Sequence, residues 1–259
     1  MTLPTATGTL WLIPNTLDLG AVDAAPIEQV LPLGVLQRAA QLRHWLAEDA
    51  KTARAFLKRV NAVVPLTHAL QSLSIVELPR PPKGGAGALA VAPDVAPLLA
   101  PALAGHDVGL VSEAGLPAVA DPGASLVAAA HAAGIRVCPL AGPSSLMLAL
   151  AASGLHGQCF AFVGYLPTDT LQRAARITAL EALSRRERQT QIAIETPYRN
   201  AALAAALLTT LQPTTRLAIA CGLTMAGGWC MTRRVRDWRG APPVFSDRTL
   251  PAVFLWLAD

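Results

Sequence analysis

The run Val108-Gly-Leu-Val-Ser-Glu-Ala-Gly-Leu-Pro-Ala-Val-Ala-Asp-Pro-Gly123 constrains this chain more than any other segment. A short apolar strand leads into a turn of small residues, then a second break at Pro122-Gly123, then a helix-like run from Ala124 to Ala133. In an open α/β sheet, ligands bind outside the carboxyl ends of the strands, where backbone must approach them closely. Gly115, Pro117 and Gly123 make a bare, pre-shaped backbone of that kind. Viewed alone, the segment serves equally well as an ordinary strand–loop–helix connection, so its neighbours decide its meaning.

Those neighbours repeat the same unit. Ile135–Cys138 reads as a strand, followed by Pro139-Leu-Ala-Gly-Pro-Ser-Ser145 and a helix from Ser144 to Ala152. Phe160–Val163 leads into Gly164-Tyr-Leu-Pro167 and a polar helix from Thr170 to Arg188. Gln191–Glu195 ends at Thr196-Pro-Tyr-Arg-Asn200, before an alanine-rich helix from Ala201 to Leu211. Leu217–Ala220 ends at Cys221-Gly-Leu-Thr224, and Val253–Leu257 reads as a final strand. Upstream, Thr9–Ile13 is a buried strand stopped by Pro14-Asn15. A helical region is expected over residues 26–60, broken near Pro32 and Gly34, with Leu42, Trp45, Leu46, Phe56, Leu57 and Val60 on its core side. Pro79–Gly87 is a loop by composition, without a G-x-G-x-x-G or Walker pattern. Strands alternating with helices predict an α/β fold.

The composition, 53% hydrophobic and 15% charged, excludes a disordered chain. No secretory signal is expected, because the start has neither a basic n-region nor an apolar h-region. The charge-free stretch Val137–Thr168 is cut by Pro139, Gly142, Pro143, Ser153, Gly154 and Gly157 into pieces far shorter than the ~20 residues of a membrane span. A cytoplasmic protein without membrane contact is therefore expected. The four cysteines show no C-x-x-C and the five histidines no H-E-x-x-H, so neither a metal site nor a disulfide framework is expected. Residues 1–140 carry nine Lys/Arg and ten Asp/Glu, whereas residues 141–259 carry twelve and seven. The basic second half is compatible with an anionic partner such as RNA, and equally with a solvated surface.

Several strand ends carry small or polar residues, and they line a cleft if they converge. Pro143-Ser144 stands at a helix start, where free N–H groups and the dipole favour a carboxylate; capping its own helix is the competing role for Ser144.

Four segments carry a family resemblance: Ser112-Glu-Ala-Gly-Leu-Pro117 with Asp121-Pro-Gly123, Pro139-Leu-Ala-Gly-Pro-Ser-Ser145, Phe162-Val-Gly-Tyr-Leu-Pro167 and Glu195-Thr-Pro-Tyr-Arg199. In this order and spacing they resemble the tetrapyrrole-methylase superfamily of S-adenosylmethionine (SAM)-dependent methyltransferases. The similarity is greatest to the branch containing the bacterial small-subunit rRNA ribose 2′-O-methyltransferase, and weakest over residues 60–105. The resemblance implies two α/β domains, residues 1–140 and 141–259, with SAM in the cleft between them, and a homodimer. It implies that Pro14 and the turn Ser112, Glu113, Ala114, Gly115, Leu116 and Pro117 hold SAM, largely through backbone groups. Ser144 and Ser145 would face the cofactor from the second domain, and Tyr198 with Gly222 and Leu223 would help enclose its adenosine. The chain departs from that branch in three places. A usual Thr-Pro-Ile-Gly-Asn loop is Ile13-Pro-Asn-Thr-Leu-Asp18 here, a usual Arg-Lys pair is Thr168-Asp169, and a usual Arg-Glu-Leu-Thr-Lys is Cys221-Gly-Leu-Thr-Met225. Basic side chains expected near an RNA substrate are thus missing.

Methyl transfer from a sulfonium needs alignment above all, and a ribose hydroxyl acceptor would also need a general base. Glu195 is the first candidate base and Glu113 the second, with pairing to Arg199 the competing role for Glu195. Arg199 and Tyr165 are candidate substrate contacts. The leading expectation is a SAM-dependent methyltransferase acting on RNA ribose or a related group. The alternatives are a methylase of a small tetrapyrrole-like ring and a dimeric SAM-binding protein without activity.

Overall fold

In a computed structural model of the chain, residues 7–21, 24–79, 94–225, 227–247 and 249–259 are described. The Pro79–Gly87 loop lies, beyond Pro79, outside them. The chain divides into two compact units, Met1–Pro143 and Ser144–Asp259.

The first unit is built on five short strands: β1 (Thr9–Leu12), β2 (His44–Ala47), β3 (Ser74–Glu77), β4 (Val108–Val111) and β5 (Arg136–Pro139). They pair in the order β3-β2-β4-β1-β5, all parallel. The helices are α1 (Ile27–Val30), α2 (Leu33–Gln41), α3 (Ala50–Val63), α4 (Ala100–Leu103) and α5 (Ala124–Ala132). Successive strand residues face opposite sides of a sheet, and the two apolar clusters follow that rule. Trp45, Ala47 and Val111 pack with α1–α3, while Leu10, Leu46, Val108 and Leu110 pack with α4 and α5. A sheet buried on both faces makes near-continuous apolar strands.

One expectation is corrected here. Residues 26–60 are not one broken helical region: β2 runs through the middle of it, so Trp45 and Leu46 face opposite sides of a sheet. A four-residue strand buried on both faces has no period to distinguish it from a helix turn. The restart of the helix does have a signal, since Asp49 caps α3 by accepting a 2.7 Å hydrogen bond from the Thr52 N–H.

The second unit contains α6 (Ser145–Ser153), β6 (Phe160–Tyr165), α7 (Thr170–Glu187), β7 (Thr190–Glu195), α8 (Asn200–Thr210), β8 (Arg216–Cys221), β9 (Trp229–Arg234), α9 (Val235–Gly240) and β10 (Ala252–Leu257). The sheet order is β6-β7-β10-β8-β9. Only β6 and β7 pair in parallel; β10 runs antiparallel to both β7 and β8, and β8–β9 is an antiparallel pair. Residues from α6 cover one face, with Ala218, Ala220, Val253 and Leu255 beneath them. Residues from α7, α8 and α9 cover the other, over Leu217, Ile219, Phe254 and Trp256. The chain is thus α/β in both units. The elements β3, α4, β9 and α9 have no counterpart among the elements expected from the sequence.

Gly109 shows how tightly the first sheet is covered. A Cβ there would lie 2.9 Å from Leu42 Cδ1 and from the Trp45 ring. Gly109→Ala is expected to overpack the α2–sheet layer and cost roughly 1–3 kcal/mol. A urea unfolding midpoint unchanged from the wild type would show that this layer yields freely.

Candidate functional site

Strands β1 and β4 are neighbours, yet the chain leaves β1 towards β2 on one side and leaves β4 towards β5 on the other. Such a divergence is the switch point at which open parallel sheets take ligands. Two loops meet there, residues 13–16 and residues 112–123. Asn15 and Gly115 form an antiparallel bridge. The Asn15 N–H donates to the Gly115 carbonyl at 2.9 Å, and the Gly115 N–H donates back at 3.2 Å. The Asn15 side-chain amide donates to the Glu113 carbonyl at 2.9 Å and the Ser112 carbonyl at 3.3 Å, while its Oδ1 accepts from the Thr16 N–H at 2.8 Å.

The loop after β4 is strained. Gly115 sits at φ +70°, where a glycine is needed, but Ala118 and Ala120 also adopt positive φ, 66° and 65°. A non-glycine residue held there costs on the order of 1–3 kcal/mol, and such strain gathers at ligand sites. The loop after β1 is anchored from α3. Arg59 forks onto Asp18 with both contacts at 3.1 Å, and also donates to Thr16 Oγ1 at 3.0 Å and the Ala25 carbonyl at 3.2 Å. Burial opposes the Asp18 charge, but the Arg59, Gly20 and Thr16 donors outweigh it and hold the carboxyl below its usual range.

Acidic side chains collect at the same strand ends. A cleft of about 280 Å³ is lined by Glu48, Leu78, Pro79, Glu113 and Pro122. Glu48 Oε2 accepts from the Glu113 N–H at 3.2 Å. Burial pushes the Asp121 carboxyl up to about 7, with Glu48 and Glu113 raising it further and the Ser112 hydroxyl pulling the other way. Ser112 is buried, and its Oγ makes no hydrogen bond of regular geometry. The structure therefore brings Pro14, Ser112, Glu113, Ala114, Gly115, Leu116 and Pro117 to one end of one sheet. It adds Asn15, Glu48 and Asp121, which were not among the candidates. Glu48 was hidden because β2 was read as helix. Asp121 lay within a quoted motif, and only folding gives it two carboxylate neighbours.

In the second unit, Glu195 at the end of β7 is buried and fully engaged. Its Oε1 accepts from the Thr196 N–H at 2.8 Å and the Thr196 hydroxyl at 3.2 Å, and its Oε2 lies 3.1 Å from Arg199 Nη2. The following turn presents Tyr198, which is 77% exposed. Ser144 occupies the N-cap position of α6 without a side-chain cap bond, and Ser145 opens the helix. Gly222, at φ +58°, donates its N–H to the Pro251 carbonyl at 2.9 Å, and half-buried Leu223 packs beside Cys230 against the α6 face. Tyr165 ends β6, with more than half of its surface exposed. Among the described residues, no group of three or more His, Cys, Asp or Glu side chains could hold a metal ion, and no helix is long and apolar enough to cross a membrane.

The raised Asp121 carboxyl makes stability depend on pH. Between the ordinary value of 3.8 and about 7, the folded chain holds a proton that the unfolded chain has lost. Stability therefore falls as pH rises through that window. Asp121→Asn is expected to melt with the wild type near about pH 4 and above it near about pH 8. Parallel melting curves at both values would show that the carboxyl ionises normally.

The family described as Tetrapyrrole (Corrin/Porphyrin) Methylases matches residues 36–229. Curated relatives named "Ribosomal RNA small subunit methyltransferase I" include one from Mesorhizobium japonicum, 42% identical over 127 residues, covering 49% of this chain and 42% of the relative. The Synechocystis relative of that name is 41% identical over 127 residues, covering 49% and 44%. The chain thus aligns with less than half the length of these relatives. Among solved structures, the methyltransferase CobJ superposes with a TM-score of 0.59 at 17% identity, covering 97% of this chain and 95% of that one. Uroporphyrin-III-C-methyltransferase from Thermus thermophilus gives 0.50 at 20% identity, covering 96% and 94%. These superpositions show a shared fold, and the match over residues 36–229 shows that this chain belongs to the tetrapyrrole (corrin/porphyrin) methylase family.

Proposed function

We propose that this chain is a SAM-dependent methyltransferase of RNA, with a ribose 2′-hydroxyl of small-subunit rRNA as acceptor, and that the β1–β4 switch point holds the methyl donor. The observation that carries the reading is the pair of loops locked by Asn15 and Gly115. Together with the Ser112 hydroxyl, buried beside the Asp121 carboxyl, they offer a rigid backbone surface with polar groups at the strand ends. The acidic surroundings of Glu48, Glu113 and Asp121 suit a cation. These residues fit SAM, which supplies a methyl group on a permanently positive sulfonium. The names of the relatives support RNA as the acceptor class.

In this reading Pro14, Ser112, Ala114, Gly115, Leu116 and Pro117 bind and orient the donor. Glu113, on the loop after β4 beside Glu48, is the carboxylate proposed to take an acceptor proton. Glu195 is occupied by Thr196 and Arg199, and it holds the turn that presents Tyr198. Ser144, Ser145, Tyr198, Gly222 and Leu223 are assigned to the cofactor, and Tyr165 and Arg199 to the acceptor. A cytoplasmic homodimer completes the proposal.

The test is transfer of tritium from labelled SAM to small ribosomal subunits from a bacterium deleted for its own member of the family. Label in small-subunit rRNA, at a phosphodiester that becomes resistant to alkali, is the expected outcome. Label confined to small molecules would replace this reading with a ring methylase. SAM binding without any transfer would make the chain an inactive binder, and no SAM binding would end both. In calorimetry, Asn15→Ala is expected to weaken SAM binding by about tenfold or more (about 1.4 kcal/mol), because it unlocks both loops at once. Unchanged affinity would move the donor away from this switch point.

A further inference from the structure

The opposite end of the first sheet carries the opposite charge. A cleft of about 520 Å³ at the amino ends of β2 and β4 is lined by Arg38, Gln41, Leu42, Arg43, His44, His68, His106 and Asp107. His68 also lines a second cleft of about 320 Å³, with Lys58 and Asn61. The shared histidine makes the two clefts neighbours along one basic track. Asp107 is the acidic residue of its lining, and it is committed: it accepts from the Thr9 N–H at 2.8 Å and lies 3.6 Å from Arg38. Arg38 in turn lies over the Trp11 ring at 4.0 Å. Among the described residues, Arg43, Lys58 and His68 form no ion pair.

Basic residues near helix C-termini can serve only to complement the helix dipole. That accounts for Arg38, in the last turn of α2. It does not account for His44, which opens β2, or for His68, which follows no helix end directly. The His44 and His106 rings stand 5.3 Å apart. Burial lowers the His44 pKa below the usual imidazole value, and the positive charge of His106, Arg43 and His68 lowers it further. An anion bound beside His44 would offset these costs and favour its protonated form.

We infer that this track binds the phosphodiester backbone of a single RNA strand, away from the strand ends that hold the methyl donor. The inference deepens the RNA reading and rests on it for the identity of the polyanion. It also supplies basic contacts in the first unit, whereas the segments Thr168-Asp169 and Cys221–Met225 carry none. Backbone phosphates bind without regard to sequence, and with an affinity that falls as salt rises. Binding favours protonation of His44, whose charge is otherwise opposed by burial and its basic neighbours, so affinity rises as pH falls through the imidazole range.

The experiment measures binding of a fluorescein-labelled oligouridylate to the full chain without SAM, by anisotropy, between about pH 7.5 and about pH 5.5. The wild type is expected to bind more tightly at the lower pH, and His44→Asn to lose most of that gain. Arg43→Ala/Lys58→Ala, which alters two exposed and unpaired side chains, is expected to weaken binding by about tenfold. It should also flatten the salt dependence by about 1.4 in log–log slope, at ~0.7 per phosphate contact. Arg176→Ala, on the exposed side of α7, should bind like the wild type. The inference is overturned if the Arg43/Lys58 variant binds within about twofold of the wild type while melting at the same temperature. It is also overturned by pH-independent affinity, or by an equal loss in Arg176→Ala. Because no methyl donor is present, failure here leaves the labelling of rRNA standing, and failure of that labelling leaves this binding curve readable.

Discussion

One asparagine holds together two loops that leave a parallel sheet in opposite directions. At a switch point the backbone has no neighbouring strand to pair with, and buried N–H and C=O groups left unpaired are costly. Asn15 meets that cost at its own N–H and carbonyl, both paired with Gly115, and with its side chain. An aspartate could not donate to the Ser112 and Glu113 carbonyls, and neither alanine nor serine could replace all three side-chain contacts. Once these loops are joined, the turn after β4 can hold its left-handed alanines, and the carbonyls of Ser112 and Glu113 are turned towards Asn15. The side chains around that turn then occupy fixed positions.

Much of this could be read from the sequence because glycine, proline and small residues mark chain reversals with little ambiguity. The turn after β4, the Ser144 helix start and the strand exits at Glu195 and Cys221 all stand where such residues put them. Legibility failed where burial erased periodicity. His44–Ala47 is a strand only because α2 and α3 cover one face and α4 and α5 the other, and no alternation survives that enclosure. With β2 unseen, Glu48 had no strand to end and could not be placed beside Glu113. In the second unit, β9 and α9 were missed for a related reason: Trp229–Arg234 mixes half-buried polar and apolar residues on an edge strand.

Side-chain commitments were the least legible feature. The sequence places Glu195 and Arg199 four residues apart, which allows a pair without requiring one. Folding decides it by burying Glu195 and aiming Thr196 at the same carboxylate. Such a carboxylate is already committed to its own turn, and an acceptor could reach it only by displacing Thr196 or Arg199. Glu113 is an exposed side chain with other carboxylates near it. The two candidate bases therefore differ in surroundings far more than in sequence context.

The first unit is electrically divided along its strands. Glu48, Glu113 and Asp121 lie at the carboxyl ends, while Arg38, Arg43, His44, His68 and His106 gather at the amino ends. Four-residue strands span only about 13 Å. The Debye length is about 10 Å at 0.1 M salt, so the two ends act on solvent ions nearly independently under those conditions. A cation at one end and a polyanion at the other can then be held by the same small sheet without cancelling each other's attraction. At about 0.01 M salt the screening length grows to about 30 Å and exceeds the sheet. The acidic end would then oppose RNA held at the basic end, while cation and polyanion would favour each other's binding. If the proposed methyl donor and RNA occupy these two ends, coupling between their affinities would appear only at low salt, with the strand length setting the threshold.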